Sequence, residues 1–356
     1  MSWRGGEQQI AYLIEELENL GVENIVACKK SSAFEAYCIE KDLTHLTLAF
    51  KNQYDIFSAL YLKQACKYFG VDLMHLHSSF SHGLGILSSV IGNPIPMVLS
   101  RRVDFPVKKT LITQYKYNHP AVKRIICVSK TIETMVRQSV KKPEKCQTVY
   151  SGIDLTRFSP GLQYQLLRQE YSIPADAILI GNVSAIAPHK DYYTFVDTAC
   201  QLINKGIDAY FFIIGDGPLK EDIEGYIAEN GQAARILLTG FRNDIPKILP
   251  ELDYFLITSE TEGLGTTVLD AFACGVPVVA TRGGGITETV IDQETGLLTD
   301  VGDAKGLSDK ILTLINNKNL REKIVRNAFL KVQNFSKENM AKGTFEIYKE
   351  VIRKPG

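Results

Sequence analysis

Two carboxylates, a pair of glycines and a helix start share one short run, Ser259–Thr281, SETEGLGTTVLDAFACGVPVVAT. The preceding Tyr254–Thr258 (YFLIT) is apolar, aromatic and β-branched, which predicts a buried parallel strand. Such a strand delivers Glu262 to the carboxyl edge of its sheet, where open α/β sheets bind ligands. Gly263, Leu264, Gly265 and Thr266 then form a loop and a helix start. The glycines let the backbone approach a ligand closely, and the first-turn N–H groups suit a diphosphate. Asp270 lies four residues after Thr266, on the same helix face, and helical side chains lean toward the N-terminus. A carboxylate placed there can accept both vicinal hydroxyls of a ribose, while Glu262 reaches a sugar beyond the phosphates. Taken singly, the two acids would read as a cap and a solvated helix residue.

The elements that must position this run alternate strand and helix. Strands are predicted at Ile178–Val183, Tyr210–Ile214, Arg235–Thr239 and Thr295–Leu298. The first is followed by Ala185–Asp191 (AIAPHKD), which carries His189 and Lys190. The second is followed by Gly215-Asp216-Gly217-Pro218, a tight turn into a Pro-started helix. The third ends on Gly240-Phe241-Arg242-Asn243-Asp244, and Arg242 is a further candidate cation.

The first half of the chain follows the same rule. Gly5-Gly6 reads as a turn into an amphipathic helix, Gln8–Leu20, with Ile10, Leu13, Ile14 and Leu17 on one face. A doubly wound domain calls for a strand ahead of that turn, and Met1–Arg4 does not supply one. Short strands are predicted at Asn24–Cys28, His45–Leu48, Leu73–His77, Pro96–Ser100, Lys123–Ser129 and Gln147–Tyr150. His75 and His77 share a strand face with no Cys or carboxylate beside them, so with His82 they make no metal site. Arg101 and Arg102 follow a strand and are placed to bind a phosphate or an anionic acceptor. From Arg101 to Lys145 there are twelve Lys or Arg against three acids, a surplus of nine. In a neutral chain this marks either solvated helix faces or a surface for acidic lipid, a phosphorylated glycan or RNA.

The run Glu262, Asp270 and Gly275-Val276-Pro277-Val278-Val279 resembles the retaining glycosyltransferases of family 4, which carry two Glu separated by seven positions before a Gly-x-Pro-Val-Val strand. Here the second Glu is Asp, one methylene shorter. The resemblance extends to Gly5-Gly6, to Lys190, with Ala185 where the family carries Arg, to the turn at Gly215, and to a linker, Gly152-Ile153-Asp154 ending in Phe158-Ser159-Pro160. It implies an α/β GT-B fold of two doubly wound Rossmann-like domains facing across a cleft, with residues 1–158 and a returning helix 336–356 on the acceptor side and 159–335 holding the nucleotide sugar. It implies transfer of a hexose from a nucleotide-diphosphate sugar to a glycan or glycolipid hydroxyl, with retention and without metal or other cofactor. Glu262, Lys190 and Arg102 would carry catalysis; Gly5, Gly6, His189, Gly215, Arg242, Gly263, Leu264, Gly265, Thr266 and Asp270 would bind substrate. Another GT-B enzyme, an epimerase or phosphorylase, or a non-catalytic binding module would use the same frame.

Composition sets the bounds. At 356 residues with 45% hydrophobic, 22% charged and zero formal charge, the chain is an ordinary two-domain globular protein, and nucleic acid is not its expected partner. Seven scattered Cys without a close pair favour reduced thiols and a cytoplasmic setting. No Asp-x-Asp occurs, and no apolar run is long enough to span a bilayer, so any membrane contact would be peripheral, at the inner face of an anionic membrane.

Overall fold

The computed structural model describes residues 3–49, 52, 54–160 and 164–353. Met1 and Ser2, and residues 354–356 of the expected returning helix, lie outside the described residues. Two compact units emerge: one runs to Gly152 and resumes at Lys337, the other is Ile153–Ser336.

In the first unit, helix α1 (Gly5–Asn19) precedes β1 (Val26–Lys29), α2 (Ala33–Glu40), β2 (His45–Leu48) and α3 (Ile56–Tyr68). Then come β3 (Met74–Leu76), α4 (Ser79–Val90), β4 (Met97–Arg101), α5 (Leu111–Asn118), β5 (Val122–Cys127), α6 (Lys130–Arg137) and β6 (Cys146–Thr148). The strands form two parallel sheets, β1-β2 and β3-β4-β5-β6, with no described strand joining β1 to β3. Gly5 and Gly6 are not a turn, as their residue types suggested, but the first two residues of α1. The apolar stripe of this helix is strong enough to carry its start through both glycines. Tyr12, Leu13 and Leu17 pack with Val98, Ile126 and the C-terminal helix, Lys337–Ile352, while Ile86, Tyr117 and Ile132 cover the other sheet face.

The second unit contains α7 (Leu166–Glu170), β7 (Ile178–Val183), α8 (Tyr192–Asn204), β8 (Ala209–Ile214), α9 (Lys220–Glu229), β9 (Ile236–Gly240) and α10 (Ile245–Ile248). It continues with β10 (Tyr254–Ile257), α11 (Thr266–Ala273), β11 (Val278–Thr281), α12 (Ile286–Thr289), β12 (Leu297–Thr299), α13 (Ala304–Asn316) and α14 (Lys318–Val332). The Lys337–Ile352 helix of the first unit is α15. One parallel sheet runs β12-β11-β10-β7-β8-β9. Its strands are apolar along their length because both faces are covered: Phe211, Ile213, Tyr254 and Leu256 all pack under α8, α9 and α13. The chain builds outward through β8 and β9, returns to the middle at β10, and builds the other way. The order therefore reverses between β7 and β10, and ligands of such sheets bind outside the strand ends at that point.

Gly215 has φ +153, and a Cβ there would stand 2.0 Å from the Ser184 carbonyl oxygen. Only glycine lets the β8 turn pack against the chain leaving β7. Gly215→Ala should cost at least about 2 kcal/mol in urea unfolding, whereas Gly225→Ala, on the exposed side of α9 with open space around it, should stabilise by about 0.5–1 kcal/mol. Equal effects at the two sites would refute the close-approach account.

Candidate active site

The two central loops of the second unit leave β7 and β10 side by side and are tied together along their length. The Glu260 N–H donates to the His189 carbonyl at 2.9 Å. The Thr258 hydroxyl reaches the carbonyls of Lys190 and Asp191 at 3.0 and 2.9 Å. Asp191, in the left-handed region at φ 46, caps α8 through the Thr194 N–H at 3.1 Å. These constraints turn the Lys190 side chain onto Glu262, and Nζ donates to Oε1. Ser259 Oγ donates to the same oxygen at 3.0 Å. Both charged side chains are largely withdrawn from water, with 14% and 12% of their surface exposed.

Close backbone packing fixes this loop from the far side. A Cβ on Gly283 would stand 2.3 Å from the Ser259 carbonyl oxygen, and one on Gly285 would stand 2.2 Å from that of Gly263. The Gly285 N–H in turn donates to the Glu262 carbonyl at 2.7 Å. Leu264 is buried as the anchor of the loop, and Gly265, left-handed at φ 76, opens α11 without a side-chain cap. The first-turn amides from Thr266 onward thus have no side-chain acceptor, the arrangement that favours an anion. Below the loop, the buried Tyr192 hydroxyl donates to Asn182 Oδ1 at 3.1 Å and lies 2.8 Å from Ser184 Oγ.

Asp270 lies on α11, half-buried. Burial lifts its carboxyl to about 7, against the opposing pull of the Arg157 charge. Its own charge helps push up the neighbouring Cys274 thiol, which burial raises to about 12.

Lys190, His189, Glu262, Gly263, Leu264, Gly265, Thr266 and Asp270 therefore gather at the point where the strand order reverses. Gly215 shapes the adjoining loop. The Arg242 guanidinium binds Glu170 at 2.7 and 2.9 Å and Asp244 at 2.9 Å through two nitrogens, and so ties α7 to the turn after β9. Those carboxylates hold the group well above its ordinary pKa. Thr258, Ser259, Tyr192 and the pair Gly283 and Gly285 were not singled out as site residues in the sequence. The polar turn directly after an apolar strand was their only signal.

Gly5, Gly6 and Arg102 belong to the first unit. Arg102 Nη1 donates to His77 Nδ1 at 3.1 Å, and His77 stacks on His75 at 3.9 Å between ring centroids. Burial lowers Arg102 to about 10, while the charges of Tyr348 and of Glu7, one residue past Gly6, act the other way. His75 lies between the Tyr348 hydroxyl and Ser100 Oγ, and burial followed by the Arg102 charge lowers it to about 3. His82 bonds the Lys116 carbonyl at 3.1 Å inside the fold. Burial lowers all three histidines, and His77 is the one bonded to Arg102.

Two family models span the chain: Glycosyltransferase Family 4 matches residues 3–157, and Glycosyl transferases group 1 matches residues 163–331. The uncharacterized glycosyltransferase MJ1178 of Methanocaldococcus jannaschii is 29% identical over 79% of this chain and 76% of its own length. The UDP-Gal:alpha-D-GlcNAc-diphosphoundecaprenol alpha-1,3-galactosyltransferase of Escherichia coli is 27% identical over 76% of this chain and 75% of its own. Among solved structures, Alr3699/HepE of Anabaena in complex with UDP-glucose is similar at a TM-score of 0.86 and 20% identity, over 98% of this chain and 97% of that one. The likeness is one of fold, and the fold is of the GT-B class.

The raised Asp270 makes a pH-dependent prediction. An acid whose pKa is higher folded than unfolded binds its proton more tightly in the native state. Its contribution is therefore fullest below its ordinary value of about 3.8 and declines as pH rises to about 7. Asp270→Asn should stabilise the protein by at least about 1 kcal/mol at pH ~8 and hardly at pH ~4, read from urea midpoints. A gain independent of pH would show that the carboxyl is not held near neutrality.

Proposed function

Since this chain belongs to glycosyltransferase family 4, within the glycosyl transferases group 1, we propose that it moves a hexose from a nucleotide-diphosphate sugar to a hydroxyl of a glycan or glycolipid, with retention and without a metal cofactor. The observation that carries this reading is the Lys190–Glu262 pair beside the uncapped start of α11. An arriving diphosphate offers the ammonium a stronger, doubly anionic partner and the α11 amides an acceptor. Glu262 is then released toward the hydroxyls of the transferred sugar, while Asp270 is placed for the ribose.

In the reaction the acceptor oxygen bonds to the anomeric carbon as the bond from that carbon to the phosphate oxygen breaks. The hydroxyl proton passes to the departing phosphate. Lys190 and the helix start meet the charge that develops on the leaving group, a preorganised stabilisation in a largely dry site. Arg102, a cation among neutral histidines, is the group for an anionic part of the acceptor. A relative that acts on a diphosphoundecaprenol-linked sugar supports a lipid-linked acceptor of that kind. A basic first unit suits the anionic inner membrane face on which such an acceptor resides.

The test is a screen of nucleotide-diphosphate sugars for slow hydrolysis and for transfer to a polyprenyl-diphosphate-linked sugar, with the product anomer read by NMR. Transfer should proceed in EDTA with the donor's configuration kept. Lys190→Met, which keeps the stem while removing the charge, should lower kcat by about tenfold to a hundredfold, as expected for one charge-assisted contact of roughly 1.5–3 kcal/mol. Inversion, loss of turnover in EDTA, or an unaffected Lys190→Met would each overturn the part of the reading it addresses.

A further inference from the structure

Helices α3 and α5 of the first unit flank α4 and pack on the same face of the β3-β6 sheet, since Cys66, Ile86 and Tyr117 share one core cluster. Each feeds the amino end of the next strand through a short link, residues 69–73 after α3 and residues 119–121 after α5. Their N-terminal turns therefore lie at the level of the sheet's carboxyl edge, the edge from which Arg102 emerges.

Those turns are apolar on the outside. On α3, Phe57 is 81% exposed, with Leu60 and Tyr61 exposed one turn on. On α5, Leu111 is 90% exposed and Ile112 and Tyr115 are each 55% exposed, and Val103 and Phe105 extend the patch into the preceding loop. Large apolar side chains grouped in this way mark an interaction surface. Lys108 and Lys109 are exposed between the loop and α5. The acids of these segments are spent: Asp55 caps α3 through the Phe57 and Ser58 amides at 3.2 Å, and Asp104 is buried.

The twelve cations of segment 101–145 do not form one surface. Lys123, Lys141, Lys142 and Lys145 line a cavity at the opposite, amino edge of the sheet. Lys108 and Lys109 are left beside the apolar turns, where charge and exposed hydrocarbon coincide.

We propose that the first turns of α3 and α5, with the loop before α5, seat the first unit on an anionic bilayer. Phe57, Leu111 and Ile112 enter the boundary between head groups and acyl chains, and Lys108 and Lys109 meet the lipid phosphates. This surface chemistry is that of interfacial membrane helices, a lipid-facing apolar side edged by lysine. A second copy of the chain is disfavoured as occupant, because the two faces would bring their lysines together with no acid to answer them. The inference rests on the reading of a lipid-linked acceptor for its purpose, but not for its evidence.

The experiment is co-sedimentation of the full chain with vesicles of phosphatidylcholine alone or mixed with phosphatidylglycerol, alongside donor hydrolysis without vesicles. The chain should bind the acidic vesicles and release them as salt rises, with little binding to neutral ones. Lys108→Glu with Lys109→Glu should weaken acidic-vesicle binding about tenfold or more. Leu111→Ser with Ile112→Ser should weaken it even at low salt, and Leu111→Trp should show a blue-shifted emission on binding. All these variants should keep the wild-type rate of donor hydrolysis and the wild-type melting temperature. Absence of binding to either vesicle, or serine variants that bind as tightly as wild type, would overturn the proposal while leaving the transferase reading intact. Self-association abolished by the serine pair without vesicle binding would assign the face to a second copy instead. Competition by RNA that depends on the lysines and not on the serine pair would assign it to nucleic acid. Loss of hydrolysis with intact vesicle binding would count against the transferase reading alone.

Discussion

The Lys190–Glu262 pair can form only because two loops leave adjacent strands at the place where the sheet changes direction. β7 and β10 are neighbours in the sheet although more than seventy residues separate them in the chain. A right-handed crossover must follow each, so the two loops diverge to opposite faces and leave a gap at the strand ends. The Glu260 amide and the Thr258 hydroxyl then close that gap to a fixed width. A pair so far withdrawn from water adds little net stability, since desolvation cancels most of the attraction. Its consequence is positional: the ammonium is held at the strand ends, largely out of water.

The same rigidity explains the glycines across the loop. Gly283 and Gly285 admit the carbonyls of Ser259 and Gly263 to distances that any side chain would forbid. Glu262 is thereby fixed from both sides, by the loop after β7 through hydrogen bonds and by the turn before α12 through packing. A loop of glycines would otherwise be the most mobile part of the fold.

Much of this was legible. Tyr254–Ile257 forms the strand its apolar run predicted, and Lys190, Glu262 and the start of α11 meet because alternation of strands and helices dictates where their loops emerge. The misreadings share a cause, which is that sequence gives residue types and spacing but not distant partners. The partners of Arg242 were hidden because Glu170 stands seventy-two positions away. Gly5-Gly6 read as a turn because propensity is local, whereas packing of α1 under α15 is not. The choice between solvated helix faces and one basic surface stayed open for segment 101–145 because charge was counted along the chain, while β4, α5 and β5 carry it to opposite edges. The apolar outer side of α3 gave no signal, since periodicity shows that a helix has a stripe and not which stripe is covered.

Asp270 stands where the resembling family carries the longer Glu, and its surroundings bear on its chemistry as well as its reach. The aspartate is held back among protein atoms, beside Cys274, where burial lifts it to about 7 against the pull of Arg157. An ionised carboxylate only accepts hydrogen bonds, whereas a carboxyl poised near neutrality can donate one and accept another. Two vicinal hydroxyls, each both donor and acceptor, can satisfy either form. On the proposed reading, a ribose at this position would find a partner in either form, because each of its hydroxyls can bring the proton or receive it.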